Sequence, residues 1–139
     1  MDLNYYKTLI AVADDCPVAD SVIPQADAGK KKTIAALQYE LLSDHPYVHT
    51  QEDVLFRTWL ARQDLPELSA DEEAQLRADF FAKPQACLRA SPLPKKYGFG
   101  LLFDDKGRIA LCPRESKEYT ETVASGRVKV VKAMRTSRG

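Results

Sequence analysis

The order of periodicities along the chain predicts an α+β fold, with an antiparallel sheet of about four to five strands and helices packed on one face. Three observations lead there. Capped segments with helical apolar spacing fill residues 33–83, strand-like runs take over after residue 86, and one more capped helix precedes a closing Val/Lys run. At 139 residues the chain is expected to form a single globular domain over 1–139, with enough core to need no metal or disulfide.

"NYYKTLIAVA" (4–13) is short, apolar and rich in β-formers, and predicts the first strand. Residues 14–32 carry two prolines and a glycine without periodicity, so they predict a long loop, one that ends in the run Lys30, Lys31 and Lys32. "TIAALQYELLSD" (33–44) places Ile34, Leu37 and Leu41 on one helical face behind Thr33 as cap, and Pro46 stops it. In "TQEDVLFRTWLARQ" (50–63), Thr50 and Asp53 stand at capping-box spacing, although a strand through the same apolar residues competes. "SADEEAQLRADFFAK" (69–83) has Ser69 and Glu72 at the same spacing and Pro84 beyond its end. Ala74, Leu76, Phe80 and Phe81 are expected to be its buried face.

The second half reads as "ACLRAS" (86–91) and "YGFGLLF" (97–103) in strands, then a type I turn at "DDKG" with Gly107 at positive φ. "RIALCPR" (108–114) returns antiparallel. Ser116 caps and Gly126 ends a helix over 116–126, and "RVKVVKAM" (127–134) is the last strand, with a frayed basic tail at 135–139. In that strand Lys132 falls on the face of Val128, Val130 and Met134. This calls for a bulge, a snorkelling side chain, a carboxylate partner or a ligand.

Twenty basic and twenty acidic residues give zero net charge, unevenly spread. Residues 1–86 carry 8 Lys/Arg against 15 Asp/Glu, and residues 87–139 carry 12 against 5. An anionic partner for the second half is one reading, and mutual neutralisation of the halves in space is the other. The pI of 6.7 and the scarcity of aromatics among the basic residues argue against nucleic acid. No apolar run approaches membrane-spanning length, so no membrane partner is expected, and the N-terminal "MDLNYYKTLI" lacks a signal pattern. Three cysteines, Cys16, Cys87 and Cys112, are read most simply as reduced thiols in the cytoplasm.

Chemistry concentrates in "CLRASPLPKKYGFG" (87–100) and the end of the last strand. Pro92 and Pro94 are expected to hold Ser91 and Leu93 extended. Tyr97, Phe99, Leu101 and Phe103 would then share a core face. Gly98 and Gly100 would leave a groove on the other, open to a helix, a backbone or a ligand. Arg89, Lys95, Lys96, Lys132 and Arg135, with Ser91 and Tyr97 as neutral donors, form the candidate anion-binding set. The bland alternative pairs Arg89 with an acidic helix residue and leaves the lysines in water. Cys87 is a candidate nucleophile against a small buried thiol. His45 and His49 have the spacing of a metal pair, but Pro46 breaks the helix that would align them and no third ligand is near. No metal or cofactor is called for.

The strings "DCP", "KTIAALQYELLSDHPY", "EDVLF", "CLRASPLPKKYGFG", "GRIAL" and "VKAMR" resemble a family of small bacterial and fungal proteins known only as a domain of unknown function. The resemblance spans about residues 4–135. It implies a single-domain cytosolic protein and no activity, substrate or catalytic residue. Function therefore rests on the residues: a binding module for a small anionic ligand or acidic partner stands first. An enzyme using Cys87 or Lys132 stands second, and a weak nucleic-acid binder third. The sequence sets no oligomeric state.

Overall fold

The computed structural model describes residues 4–25, 32–63 and 65–135. Its elements run β1 (Thr8–Ala11), α1 (Ile34–Asp44), α2 (Gln51–Ala61), α3 (Ala70–Phe81), a 3-10 turn (Leu88–Ala90) and α4 (Pro92–Lys96). They continue with β2 (Phe99–Phe103), β3 (Ile109–Pro113), α5 (Lys117–Ser125) and β4 (Lys129–Lys132).

Local chemistry starts and stops the helices where the sequence places the signals. Thr33, Thr50, Ser69 and Ser116 each accept a backbone N–H as N-cap, and Thr50–Asp53 and Ser69–Glu72 close full capping boxes. Gly126 ends α5 in the left-handed region at φ 71°, where a side chain would be strained. The apolar residues of 50–63 lie in helix, Gln51–Ala61, rather than strand.

The sheet has the order β3-β2-β1-β4. β2 and β3 form the expected antiparallel hairpin, with Gly107 at φ 79° in the turn, and β1 pairs antiparallel with β2. β4 lies parallel to β1, with Leu9 opposite Val130 and Ala11 opposite Lys132, so the sheet is mixed and not purely antiparallel. A parallel neighbour needs a crossover, which the helical middle of the chain supplies.

Ile10, Leu101, Phe103 and Ile109 point to one face and meet Leu42 of α1, Val54 of α2, Leu88 and Leu93 in one buried core. Helices do not keep to that face. Gly100 points the other way, and an added Cβ there would stand 2.8 Å from the Tyr119 ring of α5 and 3.1 Å from the Cys112 carbonyl oxygen. The glycine groove expected in β2 is therefore filled by a helix, whose Tyr119 hydroxyl also accepts the Val12 N–H. A Gly100→Ala variant should lose about 1–3 kcal/mol through overpacking, read as a lower urea midpoint at unchanged slope. No loss would mean that Tyr119 has room to retreat.

α3 departs from expectation in burying no residue completely. Ala74 is exposed, and Leu76, Phe80 and Phe81 are only partly covered. Phe80 packs against Phe56, Trp59 and Phe81, while Arg77 bridges to Asp53 at 3.0 Å. This helix is an amphipathic lid on α2; in its acidic first turn Asp71 and Glu72 are exposed, while Glu73 pairs with Arg57 of α2 at 3.5 Å.

Candidate functional site

The stretch after Cys87 is helical where a strand was expected. Leu88–Ala90 forms the 3-10 turn, and Ser91 then caps α4 by accepting the Leu93 N–H at 3.2 Å. Pro92 occupies the first helical position, where its missing N–H is one that no helix satisfies anyway. Ser91 is extended as a cap should be, but Leu93 is helical and not extended. Tyr97 ends α4 and so leaves the β2 face it was expected to share with Phe99, although it still packs against the core.

This turn docks the first half of the candidate set onto β4. Arg89 Nε donates to the Lys132 carbonyl at 2.7 Å, and the Met134 N–H donates to the Arg89 carbonyl at 2.8 Å. The structure therefore brings Arg89, Lys132 and Arg135 to one end of β4. Arg89 has a carbonyl partner, not the acidic helix residue of the bland reading. Lys132 meets a carboxylate, one of the alternatives its position left open: Nζ lies 2.6 Å from Asp14 Oδ1, with both side chains more than half exposed. No bulge is needed. Val131 and Ala133 face the core, while Val130 and Lys132 face away from it.

The other members separate from this group. Ser91 is buried and committed, donating to Gln38 Oε1 at 2.6 Å. Lys96 and Tyr97 line a hollow of about 310 Å³ beside the first turn of α1, together with Lys32 and Arg62. There Lys32 already pairs with Glu40 at 2.7 Å. Lys95 is half-buried on α4. Lys30 and Lys31 lie outside the described residues, as do residues 136–139 of the basic tail.

Sequence reasoning missed what lies along β4 itself. Backbone N–H groups of Lys129 and Ala133 donate inward to Lys7 and Ala11, so Val130 and Lys132 turn theirs away from β1. Arg89 and its turn cover the Lys132 end of that outer edge. Among the described residues nothing pairs with the Val130 backbone, whose side chain is 38% exposed. Lys129 and Arg127 are exposed alongside. The signal was present in "RVKVVK", but alternating lysines in a strand look the same on a solvated face as on a free edge.

The remaining constellations have structural partners. Tyr5 donates its hydroxyl to Cys87 Sγ at 3.7 Å, and burial first, then the thiol, pushes the Tyr5 phenol above its ordinary range. Burial carries the Cys112 thiol up to about 11, so it stays protonated. His45 and His49 stack edge to face at 5.6 Å, and no group of three metal-ligating side chains occurs among the described residues. No helix among them is long and apolar enough to cross a membrane.

His49 and Asp53 make the fold acid-sensitive. Burial lowers the His49 pKa from 6.5, so its folded imidazole resists the proton that the unfolded chain takes up. Its contribution is complete above pH 6.5 and is lost as pH falls below that value. Burial pushes the Asp53 carboxyl up, but the Thr50 N–H and Arg77 outweigh it and hold the group below 3.8. That second contribution is lost only as pH drops through the lowered value. Melting temperature should therefore fall in two stages on acidification, and His49→Gln should abolish the upper one. A single stage in the unsubstituted protein would contradict this assignment.

The profile of DUF6157, described as a family of unknown function, matches residues 1–139. No curated protein and no solved structure matches the chain.

Proposed function

The chain belongs to DUF6157, a family without an assigned activity, and we propose that it is a binding module taking an acidic, extended segment of a partner protein along β4. One observation carries this reading: the outer edge of β4 leaves the Val130 backbone unpaired and is flanked by Lys129, Lys132, Arg135 and Arg89. An extended chain laid there would gain main-chain hydrogen bonds, the usual currency of strand addition. Its carboxylates would meet the cations, and the exposed Lys132–Asp14 pair is weak enough to exchange its carboxylate for the partner's.

Charge also favours an acidic partner over a second copy. Two β4 strands laid antiparallel would bring lysines against lysines, the device by which natural edge strands resist self-pairing. Nucleic acid offers the right charge but no strand to complete the ladder.

The test uses a fluorescent peptide of alternating glutamate and valine, followed by anisotropy at low and high salt. The peptide should bind and weaken as salt rises. Lys129→Glu with Arg135→Glu should reduce affinity about tenfold or more, the loss expected for one or two charge-assisted bonds. Val130→Pro removes only an outward N–H, so it should keep the fold and abolish binding. Undiminished binding by Val130→Pro would refute strand addition, and equal affinity for an oligothymidine would redirect the reading to nucleic acid.

A further inference from the structure

A second site stands at the other end of the sheet, away from Arg89 and Arg135. Among the described residues, the only non-glycine residues at positive φ are Lys7 at 46° and Tyr47 at 58°. Neither is asparagine, aspartate or glycine, the residues that reach this region at little cost. Both line one hollow of about 700 Å³, a volume within the range of small-molecule sites.

Neighbouring strands hold Lys7 in this conformation. Its N–H donates to the Asp104 carbonyl and its carbonyl accepts the Lys129 N–H, both at 2.9 Å, so β2 and β4 pin it from either side. Tyr47 is pinned through its N–H to the Ile109 carbonyl at 2.9 Å. Strain kept by surrounding hydrogen bonds, twice at one hollow, is characteristic of places where side-chain direction matters more than backbone ease.

The lining has a distinct charge pattern. Leu102 and Val128 contribute apolar surface, and Lys7 and Arg127 bring cations that form no ion pair among the described residues. Two carboxylates are present, but Asp104 is committed: its Oδ1 accepts the N–H groups of Lys106 and Arg108. Asp105 is the exposed carboxylate that remains. Apolar surface with both signs of charge beside it suits a zwitterion with an apolar body.

We infer that this hollow binds a free α-amino acid with an apolar side chain. Lys7 and Arg127 hold its carboxylate, Asp105 its ammonium, and Leu102 and Val128 receive its side chain. A peptide interior lacks both charges and does not fit. The hollow adjoins the Lys129 end of β4, but its ligand is a small zwitterion held by Lys7 and Asp105, neither of which belongs to the strand-addition edge.

Isothermal titration with leucine, phenylalanine and methionine tests this, alongside isocaproate and isoamylamine, which are leucine without its amine or its carboxylate. At least one of the amino acids should bind. For leucine, each single-charge analogue should be weaker by about tenfold or more. Lys7→Gly relieves the positive φ and removes the cation. It should keep or raise the melting temperature while losing binding, whereas a merely structural kink would leave binding intact. Arg127→Ala, an exposed position, gives a second reading and should also weaken binding. No binding by any of the three amino acids, equal binding of an analogue, or undiminished binding by Lys7→Gly would each overturn the inference.

Discussion

Leu93→Ala is expected to produce the largest loss of stability of any single change considered, about 2–5 kcal/mol, the range for emptying a fully buried leucine site. Leu93 has no exposed surface and sits in the core shared by the sheet, α1 and α2. Domains of this kind are stable by about 5–15 kcal/mol, so the loss is a large fraction of the total. It should also have a local signature. A helix of five residues has no stability of its own, and α4 is held chiefly by Leu93 and Pro94. The Pro94 carbonyl accepts the Ala13 N–H and the Tyr97 carbonyl accepts the Val22 N–H. Loosening α4 should therefore release the Ala13 and Val22 amides, while Val18 and Ser21 stay tied to Arg114 and Glu115. Native-state hydrogen exchange should show Ala13 and Val22 amides exchanging faster than the loss of global stability alone requires. Leu42→Ala, equally buried on α1, should lower the urea midpoint without that selective release. Uniform acceleration in both variants would mean that α4 is not an independently held element.

What the sequence made legible was what residues encode close to themselves. Thr50 with Asp53, Ser69 with Glu72, the turn at Gly107 and the stop at Gly126 are each specified within a few positions, and each stands where it was read. Ser91 and Pro92 carried an equally local signal, since serine before a proline at the first helical position is a helix start. The stiffening effect of the two prolines, taken by itself, predicts an extended stretch instead. Other features are not local at all. β4 lies parallel to β1 because of how the whole intervening chain folds, and nothing in "RVKVVK" states it. The meeting of Arg89 with the Lys132 carbonyl follows from that pairing, so the basic cluster was read from composition and its hydrogen bonds were not. The positive φ at Lys7 and Tyr47 is imposed by neighbouring strands on residues that carry no mark of it. Thus residue type alone names the cations that meet at the end of β4. The half at Ser91, Lys96 and Tyr97 separated because a helix shortens and rotates the segment where a strand would have extended it.

Ser91 shows how a polar residue in a basic stretch differs from a ligand residue. Its hydroxyl donates to Gln38 Oε1 at 2.6 Å and accepts the Leu93 N–H at 3.2 Å, and both Ser91 and Gln38 are buried. Ser91→Ala leaves one buried acceptor and one cap N–H without a partner. Unsatisfied buried groups cost about 1–3 kcal/mol and a lost N-cap about 1 kcal/mol, so a loss of about 2–4 kcal/mol is expected. Removing the acceptor as well should recover part of it. In a Gln38→Leu background the same Ser91→Ala change should be milder, because the hydroxyl then has only the cap to lose. Peptide affinity at β4 should not change in any of these variants, provided they are measured below their melting transitions. The opposite pattern, with stability intact and acidic-peptide binding lost, would make Ser91 a contact residue. It would also require its hydroxyl to turn away from Gln38, leaving the buried Gln38 Oε1 without that donor. The geometry gives the hydroxyl two partners inside the fold, and the effect of its removal should appear in folding rather than in recognition.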